Sequence, residues 1–523
     1  MTAGSDPIAA ADALVAAGRP GEALALLRAA LGVLRDDPAL LFAAGCTALR
    51  AGIPDEAVSL LRAAAGRLPG APPVLAALAR ALAAAGRPDL GAIEARRGLR
   101  AHPGSAPLRE ALAVALDARD DHDGAAALWA GLAAERPDDP GVLAALAEAH
   151  AHAGRTAEAM GWFERALAAA PGDPQIRLNR ATVRLAAGDD GGWADWEGRL
   201  DPALGRAVVR DHALPRWDGG PLDGGTLDGG LLVEAEQGIG EQVLFAALMP
   251  AVAARVRGIV LECHPRLVPI FGRSFPDVAV RPFALRGEGP PPAFGYGWLA
   301  GAPPVARHVE IGSLPVLLGT GLATPPATGP FLVPDPERTE ALRARYRALG
   351  AGPVVGLTWR SRNARHGVAK SLAPEDLVPL ARARPDAVFV SLQYGAHRGD
   401  LEAFARAGMH VHVDPDVDPL VDLDAHLAQT AAVDLAVGAS NTALHLAAAV
   451  GRPVWALVPG GRGQLWYWGD TGETARWYAG VRVFRRTRPG TWAEPAGRAA
   501  EALKGIRPAW PLKISCLSNL RMS

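Results

Sequence analysis

Cysteine is scarce: three in 523 residues, Cys46, Cys263 and Cys516, far apart and with no CxxC pair. That spacing supplies no sulfur set for structural zinc and points to a reducing compartment. Net charge is nearly absent as well, with 54 Lys plus Arg against 55 Asp plus Glu. No global field therefore draws the chain to nucleic acid or to an anionic membrane. No uncharged apolar run reaches the roughly 18–20 residues needed to cross a bilayer. The opening stretch, MTAGSDPIAAADALVAAGRP, has no basic segment ahead of its apolar residues. Neither a secretory leader nor stable membrane insertion is expected, and the expected location is cytoplasmic. What is present, 49% hydrophobic and 21% charged residues, describes an ordinary globular chain long enough for two or three cores.

The first 200 residues carry an internal repeat. Glycine recurs every 34 residues at Gly18, Gly52, Gly86, Gly154 and Gly188, with Asp120 in the one gap. Proline keeps the same step at Pro38, Pro72, Pro140 and Pro174, while Pro107 falls one place late. Small residues do likewise at Ala11, Gly45, Ala79, Ala113, Ala147 and Ala181. One helix pair per repeat accounts for all three registers. Glycine ends the first helix in a left-handed cap, Asp-Pro opens the next repeat, and small residues sit where helices approach closest. This pattern resembles the tetratricopeptide repeat over residues 1–200, five repeats and a partial sixth. The resemblance implies a superhelix whose concave face binds a peptide or protein, with a spacer or dimerisation arm as the alternative.

A Gly/Asp/Pro-rich junction follows, read as a linker over 201–230, with Trp193 and Trp196 expected to pack the last repeat onto what comes next. Beyond it the apolar runs LLVEA, GIVLEC, PVVGLTW, AVFVSLQ, DLAVGAS and PVWALVP alternate with helical patterns. Such alternation predicts parallel sheets with crossover helices. Two Rossmann-like lobes are expected, over 231–345 and 346–505, with a cleft between them. The tail 506–523 carries no motif we can assign.

Three stretches draw attention to that cleft. In EQGIGEQVLFA, residues 236–246, Gly238 and Gly240 fit the first two glycines of a dinucleotide fingerprint, and Glu262 lies 22 residues after Gly240. Val243 occupies the third glycine's place, so a plain turn or another active-site loop remains open. In GLTWRSRNARHGVAKS, residues 356–371, Thr358 and Ser361 stand among Arg360, Arg362, Arg365 and Lys370. Cations at that density suit a diphosphate, although a solvated basic loop would look the same. In DLAVGASNTALHLAAAV, residues 434–450, a strand ends and Ser440, Asn441 and Thr442 open a helix. Their N–H groups and the helix dipole offer a phosphate site. His445 lies one turn inside and faces the cleft or is a core histidine. Gln393, in VSLQYGAH, sits at a strand's C-terminal end, where open parallel sheets bind ligands.

Together with PRWDGGPL and RWYAGVRVFRR these stretches resemble the heptosyltransferase-like glycosyltransferase family (family 9 type), over about 270 residues. The subgroup it is most similar to fuses this domain to tetratricopeptide repeats. The resemblance implies a two-lobed GT-B fold and an inverting transfer from a nucleotide-diphosphate sugar, with no other cofactor and no metal. It places Gly240 and Glu241 in the acceptor-lobe loop. There the family has Asp as the proposed base, and Glu adds a methylene. It maps the phosphate-binding lysine onto Lys370 and the family's Asp-Thr helix start onto Ser440-Asn441-Thr442, where the acid is missing. The diphosphate would rest on Arg360, Lys370 and that helix start, with Gln393 near the base. The repeats would recruit the acceptor, a protein such as flagellin or a glycan. The alternative is a repeat scaffold whose transferase domain has lost activity. Asp414-Pro-Asp416 has the spacing of a metal-bound donor site but lies in an acidic loop.

Overall fold

The computed structural model describes residues 6–204, 208–219, 230–236, 238–286, 293–362, 367–395, 398–487 and 490–507. Eleven helices, from Pro7–Ala16 to Pro174–Ala187, form the N-terminal array as successive antiparallel pairs. The registers read from the sequence have the expected physical roles. Gly18, Gly52, Gly86, Gly154 and Gly188 all have φ between +73° and +84°, and Asp120 holds φ +63° in the same place. The carboxylates of Asp37, Asp139 and Asp173 each accept two N–H groups of the helix opened by the following proline. At Gly45 a Cβ would lie 2.5 Å from Leu61 Cγ, so this helix crossing requires a hydrogen in place of a side chain.

Among the described residues the C-terminal region contains two larger sheets and one two-stranded sheet, each wholly parallel. Its strands in chain order are β1 (Val209–Arg210), β2 (Gly230–Glu234), β3 (Ile259–Cys263), β4 (Ala279–Pro282), β5 (Ala293–Phe294) and β6 (Val305–Glu310). Then come β7 (Val354–Thr358), β8 (Val388–Ser391), β9 (Val411–His412), β10 (Leu435–Ala439), β11 (Val454–Val458) and β12 (Val481–Arg485). The first sheet runs β4-β3-β2-β6 and the second β12-β11-β10-β7-β8-β9, with β1 and β5 paired separately. The six apolar runs are β2, β3, β7, β8, β10 and β11, and every residue of these strands is buried, as crossover helices on both faces require.

Two boundaries lie differently from the sequence reading. The helix Pro336–Arg347 contains the expected junction at 345/346 and packs on the second sheet's side: Leu342 and Tyr346 share a core with Val354, Val388 and Val390. Residues 208–217, within the expected linker, lie against the first sheet. Arg216 bridges to His308, and Val208 and Leu214 pack with Leu232 and Val260.

The array is joined to both sheets by aromatic rings. Trp193 meets Trp466 edge-on at 5.2 Å and Trp477 at 6.1 Å, and Phe245 of the helix after β2 meets Trp477 at 5.6 Å. A second contact lies at Asp120, whose carboxylate accepts from Arg486 at 2.8 Å.

Candidate functional site

In each sheet the chain starts in the middle, builds one side, and returns to build the other. The switch points fall between β2 and β6 and between β7 and β10. Crevices at the carboxyl ends of such strand pairs are where open parallel sheets bind ligands. The first is filled by the chain itself. Arg199, following the last repeat, donates to Glu236 at 2.9 and 2.8 Å and to Ser313 Oγ at 2.8 Å. The second is bounded by Thr358 on β7 and Ser440 and Asn441 after β10.

The glycine turn after β2 faces this second crevice. Gly238 is the N-cap of the helix Ile239–Ala246 and supplies no side chain to its first turn. Glu241 sits in that turn, where the helix dipole favours a carboxylate. Its Oε2 lies 2.7 Å from the place a Cβ on Gly238 would take. A Cβ on Gly240 would lie 3.4 Å from His445 Cδ2 and 3.6 Å from Thr442 Oγ1. The helices that follow β2 and β10 therefore meet at a glycine. Gln242 fixes this helix: its Oε1 accepts from His264 N at 2.8 Å and its Nε2 donates to Glu236 O at 3.2 Å.

On the opposite wall, Lys370 is 6% exposed and has no hydrogen bond or ion pair among the described residues. Burial lowers its pKa, and the negative charge of Glu241 opposes that shift. Ser440 Oγ accepts from Trp468 Nε1 at 2.8 Å. Asn441 caps the helix Thr442–Ala449 by taking the Ala443 N–H at 3.0 Å, and donates to Thr358 Oγ1 and to Arg360 O. The helix start expected to be free for phosphate is thus capped in part by its own residue. His445 Nδ1 bonds the Tyr478 hydroxyl at 2.9 Å, and its ring stacks on Trp468. Burial, reinforced by the Lys370 charge, pushes His445 down to about 3, so the ring is neutral.

The remaining expected residues surround this group in supporting roles. Gln393 Oε1 accepts from Trp359 N at 2.9 Å, Arg360 N at 2.8 Å and Thr358 Oγ1 at 3.2 Å. Its Nε2 donates to the carbonyls of Arg360 and Tyr394. It ties the ends of β7 and β8 together rather than offering a free amide. The Arg360 guanidinium turns to Asp400, with Nε 2.6 Å from the carboxylate. The Ser361 N–H donates to Ser371 Oγ at 3.1 Å. Arg365 lies outside the described residues. Gly240, Glu241, Lys370, Ser440, Thr442 and His445 converge; Thr358, Asn441 and Gln393 brace them; the side chain of Arg360 is directed elsewhere.

Two rival readings lose their footing. Glu262, the acid placed for a ribose, is buried on the sheet face, where it accepts from Ala235 N and the Tyr296 hydroxyl, both at 3.1 Å. Asp414 and Asp416 are bridged by Arg345 at 2.7 and 2.8 Å, and Tyr346 donates to Asp414.

Residues missed from the sequence are Gln242, Tyr467, Trp468 and Tyr478. Burial raises the Tyr467 and Tyr478 hydroxyls, and the charge of Glu241 raises them further. The signal was there: Trp466-Tyr467-Trp468 and Trp477-Tyr478 hold two of the chain's five tyrosines within 13 residues. Lys370 is likewise one of only three lysines.

These features define a tetratricopeptide-repeat array followed by a region of two parallel sheets with a recessed, polar junction between them. Tetratricopeptide repeat models match residues 8–72, 43–106 and 118–183. Over 356 residues the chain is 34% identical to Protein FlbA of Caulobacter vibrioides, covering 64% of this chain and 56% of FlbA. The chain thus spans about half the length of that curated relative. Among solved structures, it is similar to a thermophilic TPR protein of Thermus thermophilus (26% identity, 34% of this chain, 97% of that one, TM-score 0.32). It is also similar to a tetratricopeptide repeat protein of Parabacteroides merdae (16% identity, 36% of this chain, 75% of that one, TM-score 0.34). No described helix is long and apolar enough to cross a membrane.

Proposed function

We propose that the C-terminal region is a GT-B glycosyltransferase domain that moves a sugar from a nucleotide-diphosphate sugar to an acceptor recruited by the repeats. The observation that carries this reading is Lys370: a largely buried lysine with no hydrogen bond or ion pair among the described residues, set across from Glu241 at the strand switch point. Burial makes this cation costly and the Glu241 charge offsets that only in part, since the pKa stays lowered; a diphosphate would supply further counter-charge. In the reaction the acceptor oxygen attacks the anomeric carbon and gives its proton to Glu241. The bond from that carbon to the phosphate oxygen breaks with inversion, and the nucleoside diphosphate leaves with its charge offset by Lys370. General base catalysis of this kind contributes roughly 10²–10⁴-fold. Asp414 and Asp416 are engaged by Arg345, which leaves the cation to do what a metal does at an Asp-x-Asp site. Tetratricopeptide repeats bind proteins, which favours a protein acceptor such as flagellin over a free glycan.

The test is a thermal-shift screen with UDP, GDP, ADP, CDP and dTDP. One of them should raise the melting temperature, and Lys370→Ala should abolish the rise. A second reading, a scaffold with an inactive domain, draws on the engagement of Arg360 by Asp400 and on Glu241 standing where the resembled family has Asp. It gains if no nucleotide shifts the protein while residues 1–200 still capture partners.

A further inference from the structure

The fourth repeat and the first helix of the fifth depart from their siblings where the 34-residue pattern needs no departure. At the step of Asp117 the other repeats place Val15, Leu49, Ala83, Ala151 and Leu185. At the step of His122 they place Pro20, Pro54, Pro88, Thr156 and Asp190, and at that of His152 mostly alanine. Helix pairing therefore does not call for a carboxylate and two imidazoles here. In the fold they meet. His122 Nδ1 lies 2.8 Å from Asp117 Oδ1, and His152 Nδ1 lies 2.9 Å from the same oxygen. One ligand atom from each residue falls within 4.8 Å of the others.

We infer that Asp117, His122 and His152 form a binding site for one divalent transition ion of the zinc class. Two imidazole nitrogens and a carboxylate oxygen are the donor types such ions take, and three protein ligands leave a position for water. With metal–ligand bonds of about 2.0–2.1 Å, tetrahedral ligand atoms stand about 3.3 Å apart. The two nitrogen–oxygen spacings, 2.8 and 2.9 Å, would open by about half an ångström, and the two imidazole nitrogens, within 4.8 Å of each other, would settle to the same separation. The other charges facing the cluster are Glu148, Asp120 and Arg462, with Arg486 already paired to Asp120.

The location gives the ion a structural consequence. It would cross-link the helices Ala106–Ala118, His122–Glu135 and Pro140–His152 at the edge on which Gly461 rests. A Cβ there would meet His122 Nε2 and the His152 carbonyl, both at 2.6 Å. Two residues on, Gly463 packs against Ala369 and the stem of Lys370. The metal site would stiffen the ridge that backs the Lys370 loop. The inference stands whether or not the domain transfers sugar.

The experiment uses the full chain, stripped with chelator and titrated with Zn²⁺ by calorimetry, and with Co²⁺ by visible absorption. One ion per chain at micromolar affinity or tighter, with a cobalt d–d band of four- or five-coordinate type, is expected. His152→Gln and Asp117→Asn should each weaken binding at least tenfold. His308→Gln, in the separate cluster of His212, Glu234 and His308, should leave it unchanged. Absence of binding by the wild type overturns the site, as does binding that survives His152→Gln or is lost with His308→Gln. Should the variants fail to fold, diethylpyrocarbonate modification of the wild type decides. Zn²⁺ must protect His122 and His152, and equal labelling with and without the ion overturns the proposal.

Discussion

The helical array and the sheet-bearing half use glycine in opposite ways. In the array, Gly52 sits at φ +75° with nothing within 4 Å of where a Cβ would stand, so only backbone conformation is at stake. The same demand is met by Asp120 two repeats further on. In the second sheet, Gly438 has φ +142° and a Cβ would fall 1.6 Å from Thr358 O. There space and conformation are both fixed, at the residue that sets the distance between the two strands of the switch point. Repeats tolerate local departures because each contacts only its neighbours. A sheet at its switch point does not.

That contrast can be broken by substitution. Gly438→Ala should cost at least ~3 kcal/mol and unfold the C-terminal half, with the array's helical signal retained in a two-step thermal melt by circular dichroism. A single transition at the wild-type temperature would show that the half can yield at this point. Lys370→Met is expected to separate stability from function. Removing a largely buried cation whose desolvation the Glu241 charge offsets only in part should raise the melting temperature by several degrees while weakening nucleoside diphosphate binding about 10–100-fold. If affinity held, the cation would have no role in binding.

A pH experiment sharpens the comparison within the first sheet. Burial pushes Glu262 up to about 7 from 4.5, with the Glu234 charge adding to the effect. The folded state keeps a proton that the unfolded chain loses, so this group's contribution to stability falls as pH rises from about 4.5 to about 7 and is flat above. Glu262→Gln should remove that slope and stabilise the protein at pH 8 by about 1–2 kcal/mol, read by chemical denaturation at pH 5 and pH 8. The smallest effect is expected in the array: Gly52→Ala should cost roughly 1–2 kcal/mol, seen as a modest loss of protection from hydrogen exchange confined to the adjoining helices.

The array was legible because repetition multiplies a weak signal. One glycine means little, but five at a fixed step, with Asp-Pro pairs at three of the repeat starts, leave one folding solution. The parallel strands were legible for a related reason, since burial on both faces leaves runs such as LAVGA and VWALV. The candidate site was legible only in pieces. Glu241, Lys370 and Ser440 are separated by 129 and 70 residues of chain, and nothing local says that they share a crevice. Nor does the sequence show that the Arg360 guanidinium would be claimed by Asp400, or that Gln393 would face inward to three donors. Those outcomes depend on which partner a flexible polar side chain reaches first, and that is set by tertiary placement. The histidine cluster leaves no motif in the sequence, because its members are spread over a separation of 35 residues and each replaces a residue of the repeat pattern.

The ring contacts at the junction also make the molecule its own optical gauge. Trp193, Trp196, Trp466 and Trp477, four of the thirteen tryptophans, form a connected chain with neighbouring centroids no more than 6.1 Å apart. Indoles so close couple their excited states. A near-ultraviolet dichroic couplet should therefore report the packed junction and vanish when denaturant or substitution of Trp193 breaks it, with no label attached.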